Sequence, residues 1–513
     1  MTTNRTRSSI KNSAAALIGQ LATIVLNFAV RTIFIKTLGA AYLGINGLFT
    51  NILSVLSFAE IGFGTAVIYA MYSPLAVNDE IKVAKLMNYY AKVYEGIGTF
   101  IFLAGLILIP FLDFFISDVS ELPKELPALW IIYLLYLLNT SVSYFFNYKR
   151  SLIIASQNGH IDSLNQLYFN LLKGSLQIIA LLVFRDFLSF LIIQIVCTFL
   201  GNYFISKKAD RLFPFLASHK DKKIDKIDKD ALKKNVFAMS FSKLGSVVIT
   251  GVDDLLISKF AGIIVMGIYS NYLLLTNTIR IVFMQIMLPV TASVGNFAAQ
   301  KSNEEAHQFF KKLFFINAYF AICCFTALST LVNPFISLIW GKEYVFSAVI
   351  TLLITFNFYL DRMRMTSQIF IDAKGLFWPI KWKSLFEAVI NLSFSFYFLL
   401  VLKWGIESVI TATIISNLTT NIWWEPYVVF KYGFQKKVTQ YYITLIKYTA
   451  VLIICYGIVT GLQSFFSDNF LGFIGKGITA LIIPNIIIML FYFRTSELRY
   501  TAGLIQNIIN KKL

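Results

Sequence analysis

The sequence predicts an all-α integral membrane protein of about fourteen transmembrane helices, with two parallel six-helix lobes followed by two C-terminal helices. Three observations lead to this fold class: the composition, the spacing and charge of the apolar segments, and an internal repeat. Of the 513 residues, 57% are hydrophobic and only 14% are charged, whereas soluble domains carry about 25% charged residues. The chain has 49 phenylalanines, more than a water-soluble protein could keep out of contact with water.

Apolar segments of spanning length recur along the whole chain. A helix needs about 20 apolar residues to cross about 30 Å of hydrocarbon. Fourteen segments meet this length: 13–36, 42–71, 85–111, 126–147, 160–184, 187–206, 234–258, 264–297, 309–333, 345–369, 378–402, 406–430, 440–464 and 471–493. The second and eighth are longer than a bilayer requires, so we expect them to tilt or to extend beyond it.

Basic residues concentrate in alternate connections between these segments. With a cytoplasmic N-terminus, the inner segments carry clusters such as Lys149 with Arg150, whereas the outer loops carry single charges such as Lys36 and Lys403. The positive-inside rule then places both termini in the cytoplasm of a multi-pass protein. It also accounts for the net charge of +18, so no nucleic-acid partner is expected. The N-terminus lacks a small-residue cleavage site, so we expect the first helix to be retained.

The second half of the chain repeats the first at an offset of 223 residues. Three equivalent pairs are Lys36 and Lys259, Gly39 and Gly262, and Gly44 and Gly267. Because each half has six crossings, an even number, the halves should be parallel repeats with a substrate path between them near the midplane. The predicted parts are an N-terminal lobe (1–206), a basic cytoplasmic linker (207–233), a C-terminal lobe (234–430) and a segment with two more helices and a tail (431–513).

The linker is the longest polar stretch of the chain. Its alternating charges are typical of a solvated connection. An apolar piece near Leu212–Leu216 would instead suit a short amphipathic helix on the membrane surface. Both interpretations remain open on the sequence.

Several charged residues lie deep in predicted helices. Asp253 and Asp254 are adjacent in the seventh helix, and Asp254 is the repeat equivalent of Arg31. A charge at the centre of a spanning helix costs about 2.5–3.5 kcal/mol on insertion scales, so such residues should face protein or water. The candidate substrate-binding residues of a cationic cavity are Arg31, Glu60, Lys173 and Arg280. Guanidinium groups match phosphate oxygens, which favours a diphosphate ligand; structural ion pairs or snorkelling charges are the alternative.

A second set of residues offers oxygen ligands near mid-membrane. Glu387 and Asn391 are four residues apart and therefore share a helix face. The candidate ion-coupling residues are Asp253, Glu387, Asn391, Thr411 and Thr413. Such groups suit a small hard cation or a proton relay, and a carboxylate–amide bond between helices would explain the pair as well. No organic cofactor is expected; Na⁺ or H⁺ is the expected coupling ion.

Catalytic chemistry finds little support in the sequence. The three histidines, His160, His219 and His307, are distant from one another. No phosphate-binding glycine loop ending in Lys-Ser or Lys-Thr is present in the sequence. We therefore expect a transporter rather than an enzyme, with a membrane polymerase of surface sugars as the alternative of a different class.

Four stretches resemble the MOP transporter superfamily, specifically the Wzx-type flippases of bacterial polysaccharide clusters. They are FIKTLGAAYLGINGLFTNILSVLSFAEIGFG, VDDLLISKFAG…VMGIYSNY, AKGLFWPIKWKSLFEAVINLSFSF and GIESVITATIISNL…WWEPYVVFKYGF. The Lys-, Ile- and Phe-rich composition resembles Gram-positive capsule or exopolysaccharide members. The resemblance implies a V-shaped, MATE-like bundle in the bacterial cytoplasmic membrane that works by alternating access. It also implies ion-coupled antiport and the flipping of undecaprenyl-diphosphate-linked oligosaccharide repeat units.

The resemblance also implies roles for single residues. Arg31 and Arg280 correspond to cavity-facing arginines of helices one and eight, although Thr32 stands where related lipid II flippases carry an acid. Some relatives bind sodium among helices seven, eleven and twelve; Asp253 matches the acid of helix seven, whereas Glu387 and Asn391 have acid and amide in swapped order.

Sodium and protons therefore both remain open as coupling ion. The expected partners are membrane lipids, the lipid-linked oligosaccharide, a polysaccharide polymerase and a chain-length regulator. Three alternative functions remain. A lipid II exporter and a teichuronic-acid precursor exporter would have the same fold, and a drug–cation antiporter would be a related exporter.

Overall fold

A computed structural model describes the backbone of residues 2–60, 63–116, 122, 123, 125–300 and 302–510. Within these ranges it describes all side chains except those at 2–18, 58, 59, 231, 234, 235, 238–250, 286–293, 295–300, 504, 505 and 507–510. All regular secondary structure in the described ranges is helical.

The helices follow one another with short connections. In the first half they are α1 (Thr2–Leu38), α2 (Ala40–Leu56), α3 (Phe63–Ala76), α4 (Glu80–Leu108), α5 (Leu129–Ala155), α6 (Gly159–Val183), α7 (Phe187–Leu212) and α8 (Phe215–Ser218). In the second half they are α9 (Lys226–Phe260), α10 (Ile263–Gln300), α11 (Asn303–Ile339), α12 (Ala348–Lys374), α13 (Phe377–Ile380), α14 (Lys383–Tyr397), α15 (Ile406–Ser416), α16 (Ile422–Val428), α17 (Thr439–Gln463), α18 (Phe470–Tyr492) and α19 (Ser496–Asn510).

Within the described residues, each of the fourteen predicted spans consists mostly of helical backbone. Within the described residues, nine helical segments are long and apolar enough to cross a membrane, and α2 is a shorter apolar helix. The second span differs from the prediction, because it breaks at a 3₁₀ segment, Ser57–Glu60, instead of continuing as one tilted helix. Glycines at positions 62 and 64 lower the helix propensity there. The tail after α18 forms a further helix, α19, that packs against α11.

The chain forms two compact units, residues 1–267 and residues 268–513. In unit 1, α5 packs against α4 and α7, α1 packs against α6, and α9 packs against α2 and α3. In unit 2, α11 packs against α12, α17 and α18, and α14 packs against α15. The predicted lobe boundaries at residues 206 and 234 stay predictions.

The equivalent glycines of the repeat have the same local geometry. Gly39 joins α1 to α2 at a φ of 89°, and Gly262 joins α9 to α10 at a φ of 105°; side chains are strained in this region, which favours glycine. A Cβ on Gly44 would lie 2.0 Å from the carbonyl oxygen of Ile263, and a Cβ on Gly267 would lie 2.3 Å from that of Ala40. Residues 40 and 263 are themselves repeat equivalents, so the close approach is reciprocal.

The linker is anchored to α4 rather than free in solvent. Lys82 forms an ion pair with Asp228 at 3.0 Å, and Lys85 forms one with Asp225 at 2.9 Å. The side-chain amide of Asn88 donates to two linker carbonyl groups. The predicted amphipathic piece coincides with the end of α7 and with α8.

Candidate functional site

Four charged side chains meet in the interior of unit 2. Arg364 of α12 faces Glu425 of α16, and its Nη2 and Nε lie 2.6 Å and 3.1 Å from the two carboxylate oxygens. Lys383 of α14 lies between two carboxylates, with its Nζ 3.1 Å from Glu425 Oε1 and 3.3 Å from Glu387 Oε2. Lys383 and Glu387 are four residues apart on one helix face. The cluster holds two positive and two negative charges and is therefore neutral as a whole.

Asparagine side chains complete the cluster. Asn417 accepts a hydrogen bond from Arg364 Nη1 at 2.8 Å. Asn421 donates to Asn417 Oδ1 at 2.6 Å and to Glu387 Oε1 at 2.5 Å. Asn417 and Asn421 begin and end a π-helical segment between α15 and α16; such segments occur frequently at functional sites. We call Arg364, Lys383, Glu387, Asn417, Asn421 and Glu425 the buried charge cluster.

The burial of this cluster decides its energetics. The side chains of Glu425 and Arg364 are 2% and 10% exposed, and those of Lys383 and Glu387 are 12% and 13% exposed. Removing one partner from a buried ion pair leaves an uncompensated charge, which costs about 3–5 kcal/mol. The cluster therefore fixes α12, α14 and α16 relative to one another.

The charged residues Asp361, Arg362 and Arg364 lie within α12 rather than at its end. Arg364 precedes the end of α12 by ten residues, about 15 Å at the rise of an α-helix. Two neighbouring side chains form an ion pair, with Arg362 Nη2 and Asp361 Oδ2 2.5 Å apart. The Arg362 side chain is buried, whereas the Asp361 side chain is 30% exposed. Arg362 and Arg364 therefore each have an acidic partner inside the fold.

The ion-coupling set is divided between the two units. In unit 2, Asn391 donates to Thr413 Oγ1 at 3.0 Å, so α14 and α15 meet through this pair. Thr411 precedes Thr413 by two residues, about 200° around the helix, and it therefore faces elsewhere. Glu387 lies on α14 like Asn391 and accepts a hydrogen bond from Asn421, which ends the π-helical segment after α15. Asp253 belongs to unit 1 and is half-buried on α9.

The surroundings of Glu387 disfavour a bound cation at its carboxylate. The Lys383 ammonium already lies 3.3 Å from one oxygen, and it supplies the positive charge that a sodium ion would bring. Among the described residues, no group of three or more His, Cys, Asp or Glu side chains is arranged to hold a metal ion.

The second aspartate of helix α9 has a neutral partner. Asp254 is buried and accepts a hydrogen bond from Asn51 of α2 at 2.6 Å. Asp253 and Asp254 are about 100° apart around the helix, so the two carboxylates point in different directions.

The predicted cationic residues lie in different surroundings. In unit 1, Arg31 of α1 is half-buried and interacts electrostatically with Tyr136, and Glu60 accepts a hydrogen bond from the Tyr94 hydroxyl. In unit 2, the Arg280 side chain is 54% exposed, and its Nε lies 3.9 Å from Asp361. An exposed guanidinium in the middle of α10 fits an aqueous space better than lipid. Lys173 lines a polar cavity inside unit 1.

Sequence reasoning missed Glu425, Lys383 and the two asparagines of the cluster. The available signal was Glu425 itself, an acid within the aromatic run WWEPYVVF of a predicted span. Its partner Arg364 lies 61 residues earlier, and no local pattern links the two positions.

Comparison with known proteins shows the fold. No family model matches the sequence, and no curated protein matches it. The lipid II flippase MurJ in an inward closed conformation is similar at a TM-score of 0.66 and 16% identity, covering 93% of this chain and 99% of MurJ. An inward-facing MATE multidrug resistance transporter of the MOP superfamily is similar at a TM-score of 0.61 and 12% identity, over 81% of this chain and 97% of that one. A MOP superfamily transporter from Pyrococcus furiosus has a TM-score of 0.56 and 14% identity, over 83% and 96%.

These similarities confirm the predicted fold class. The chain is a multi-pass membrane protein, because its apolar helices of spanning length occur in a fold that transporters of the MOP superfamily share. The fold is the one found in MATE transporters and in MurJ.

Proposed function

We propose that the protein is a flippase that translocates undecaprenyl-diphosphate-linked oligosaccharide repeat units across the bacterial cytoplasmic membrane, for capsule or exopolysaccharide synthesis. The observation that carries this proposal is the likeness to the lipid II flippase MurJ over 93% of this chain and 99% of MurJ. A lipid-linked diphosphate carries negative charge, and the basic residues Arg31, Lys173 and Arg280 lie within helices of the fold. Guanidinium groups bind phosphate oxygens with paired donors.

Arg280 gives this proposal its clearest local support. Its guanidinium is more than half exposed although it lies in the middle of a long helix, and its contact with Asp361 at 3.9 Å is loose. Such a group retains donors for a ligand phosphate. We propose Arg280 as a ligand of the diphosphate. In unit 1, considered by itself, we propose Arg31 as a phosphate ligand and Glu60 as the residue that orients Tyr94.

We propose that transport is coupled to an ion gradient through Asp253. The neutral buried charge cluster is less suited to bind a cation, because Lys383 neutralises Glu387. This assigns Glu387, Asn391 and Thr413 to the packing of α14 against the α15–α16 segment and leaves Asp253 as the coupling acid.

A deletion strain tests the proposed function. Loss of the protein should strand lipid-linked repeat units on the cytoplasmic leaflet and abolish surface polymer. The second candidate, a lipid II exporter, is favoured by the same MurJ likeness, and complementation of a strain that lacks its lipid II flippase separates the two. An unchanged leaflet distribution together with unchanged surface polymer would refute the repeat-unit flippase.

A further inference from the structure

A polar cavity lies inside unit 1 between α5, α6 and α7. Its volume is about 260 Å³, slightly below the roughly 300–1,000 Å³ of small-molecule sites. The wall combines amide groups with two basic side chains, and its members include Asn147, Arg150, Asn165, Asn170 and Lys173. A membrane-spanning lobe would fill such a space with apolar side chains if packing were its only purpose.

The cavity wall carries a net positive charge. Arg150 pairs with the buried Asp162, with Nε and Oδ1 2.6 Å apart, and Gln166 donates to the other oxygen of Asp162 at 2.8 Å. Of the two oxygens of Asp162, Oδ2 is thus hydrogen-bonded, whereas Oδ1 has only the ion pair with Arg150. The terminal amino groups of Arg150 form no hydrogen bond with any described residue. Lys173 forms neither an ion pair nor a hydrogen bond within the described part of the chain. Arg150 and Lys173 thus contribute two positive charges, and Asp162 contributes one negative charge.

Amide groups of the wall also retain hydrogen-bonding capacity. The Oδ1 atom of Asn147 is buried and accepts no hydrogen bond from the described residues. Asn165 donates to the carbonyl of Gly201 at 3.0 Å, which leaves its side-chain oxygen available. A buried polar atom without a partner costs about 1–3 kcal/mol unless water or a ligand satisfies it. Amides both donate and accept, which matches the alternating donors and acceptors of sugar hydroxyls.

The cavity extends deep into the lobe. Arg150 lies five residues before the end of α5, and Lys173 lies 14 residues after the start of α6. Since these two helix ends are adjacent in sequence, the two cations are about 13 Å apart along the helix direction. This length and the volume suit one sugar ring with a charged substituent rather than a complete oligosaccharide.

We propose that this cavity is a subsite for an anionic sugar unit, in which Lys173 binds a carboxylate or phosphate substituent and the surrounding amides bind the ring hydroxyls. The inference rests on the proposed flippase function, since it assigns an acidic residue to the transported oligosaccharide. A charge-assisted hydrogen bond is about twice as strong as a neutral one. We therefore expect the affinity of the cavity to depend more on the charge of the substituent than on the stereochemistry of the sugar.

Binding of free sugars to the purified full-length protein in neutral-lipid nanodiscs tests the subsite. Saturation-transfer NMR with D-glucuronate, glucose 1-phosphate and D-glucose compares a carboxylate, a phosphate and no charge. We expect at least one acidic sugar to bind and glucose to bind roughly tenfold more weakly or not at all. The stronger of the two acidic probes identifies the substituent. Equal binding of glucose would overturn the proposal.

Matched variants place the binding in the cavity. Lys173→Met should weaken binding of the acidic sugar roughly tenfold or more, whereas Lys173→Arg should retain it. Asn170→Ala provides a second cavity variant that keeps the charge, and it should weaken binding of whichever acidic sugar the wild-type protein binds. Lys447→Met removes an exposed lysine of α17 in unit 2 and should change nothing. Undiminished binding by Lys173→Met would overturn the subsite.

Two further results separate the proposals. Loss of sugar binding when phosphatidylglycerol is added to the nanodiscs would assign the cavity to a lipid headgroup and overturn the sugar subsite. Flipping is measured on the same preparations. Lys173-dependent sugar binding without any flipping of lipid-linked saccharides would refute the flippase and support the subsite. Intact flipping without sugar binding would refute the subsite alone.

Discussion

The Glu425→Gln substitution tests the energetics of the buried charge cluster. It preserves the shape of the side chain but removes one of two carboxylates, so Arg364 and Lys383 then face only Glu387. The resulting uncompensated positive charge lies among side chains that are 2% to 13% exposed. Breaking a buried pair in this way costs about 3–5 kcal/mol. We expect a loss of unfolding free energy within that range.

The control uses an exposed ion pair of similar length. Lys149 and Asp210 are 2.7 Å apart, and the Asp210 side chain is 51% exposed. Exposed pairs contribute about 0.2–1 kcal/mol, so Asp210→Asn should reduce stability by no more than that. Reversible unfolding in mixed detergent–SDS micelles, followed by tryptophan fluorescence, measures both values on the same scale.

A double variant distinguishes electrostatics from lost packing. Arg364→Met combined with Glu425→Leu removes the bidentate pair and leaves Lys383 opposite Glu387. Neighbouring partners show coupling energies of about 0.5–3 kcal/mol, so the double variant should be more stable than the sum of the two single changes. If Glu425→Gln costs no more than Asp210→Asn, or if the two cluster changes are additive, the account of the cluster is wrong.

Three further predictions concern other parts of the chain. Gly44→Ala and Gly267→Ala should each destabilise the protein, because the added Cβ meets a backbone carbonyl. Gly96→Ala is the control and should not destabilise it, because the Cβ there meets open space. Thermal unfolding of the three variants measures the difference. Burial raises the pKa of Asp186, but hydrogen bonds from the first turn of α7 hold it below its usual range. Asp186 caps the N-terminus of α7, and the stabilisation from this cap is present above about pH 4 and is lost as pH falls through the lowered pKa. Asp186→Ala should therefore cost about 1 kcal/mol of unfolding free energy at pH 7 and progressively less in acid. Asp253→Asn should abolish ion-dependent transport without altering the elution volume or the unfolding temperature; retained ion dependence would remove Asp253 from the coupling site.

The spans and the repeat were predictable because their signals are local. Apolar length determines where a helix can cross, and the glycines at 39 and 262 are expected wherever two helices meet at a positive φ. The offset of 223 also predicted the equivalence of Gly44 and Gly267. Their reciprocal contact was not predictable, because it depends on how α2 and the start of α10 approach one another.

The site was less predictable, because its partners are distant in sequence. The same-face placement of Glu387 and Asn391 follows from helix periodicity, and both do contact the α15–α16 segment. The pairing of Arg364 with Glu425 spans 61 residues, and the π-helical segment that carries Asn417 and Asn421 has no recognised sequence signal. The cavity around Lys173 arises from three helices, so a single lysine in an apolar run could not indicate it.

Flipping of a lipid-linked oligosaccharide by the purified protein is the most direct test of the proposed function. Proteoliposomes would carry an undecaprenyl-diphosphate-linked oligosaccharide with a fluorescent label, and an impermeant quencher would report its leaflet. The proposed function predicts that the wild-type protein equilibrates the labelled lipid across the bilayer and that Arg280→Gln does so much more slowly at equal protein density. Equal rates in protein-free and protein-containing vesicles, under an imposed sodium gradient and under an imposed proton gradient, would contradict it.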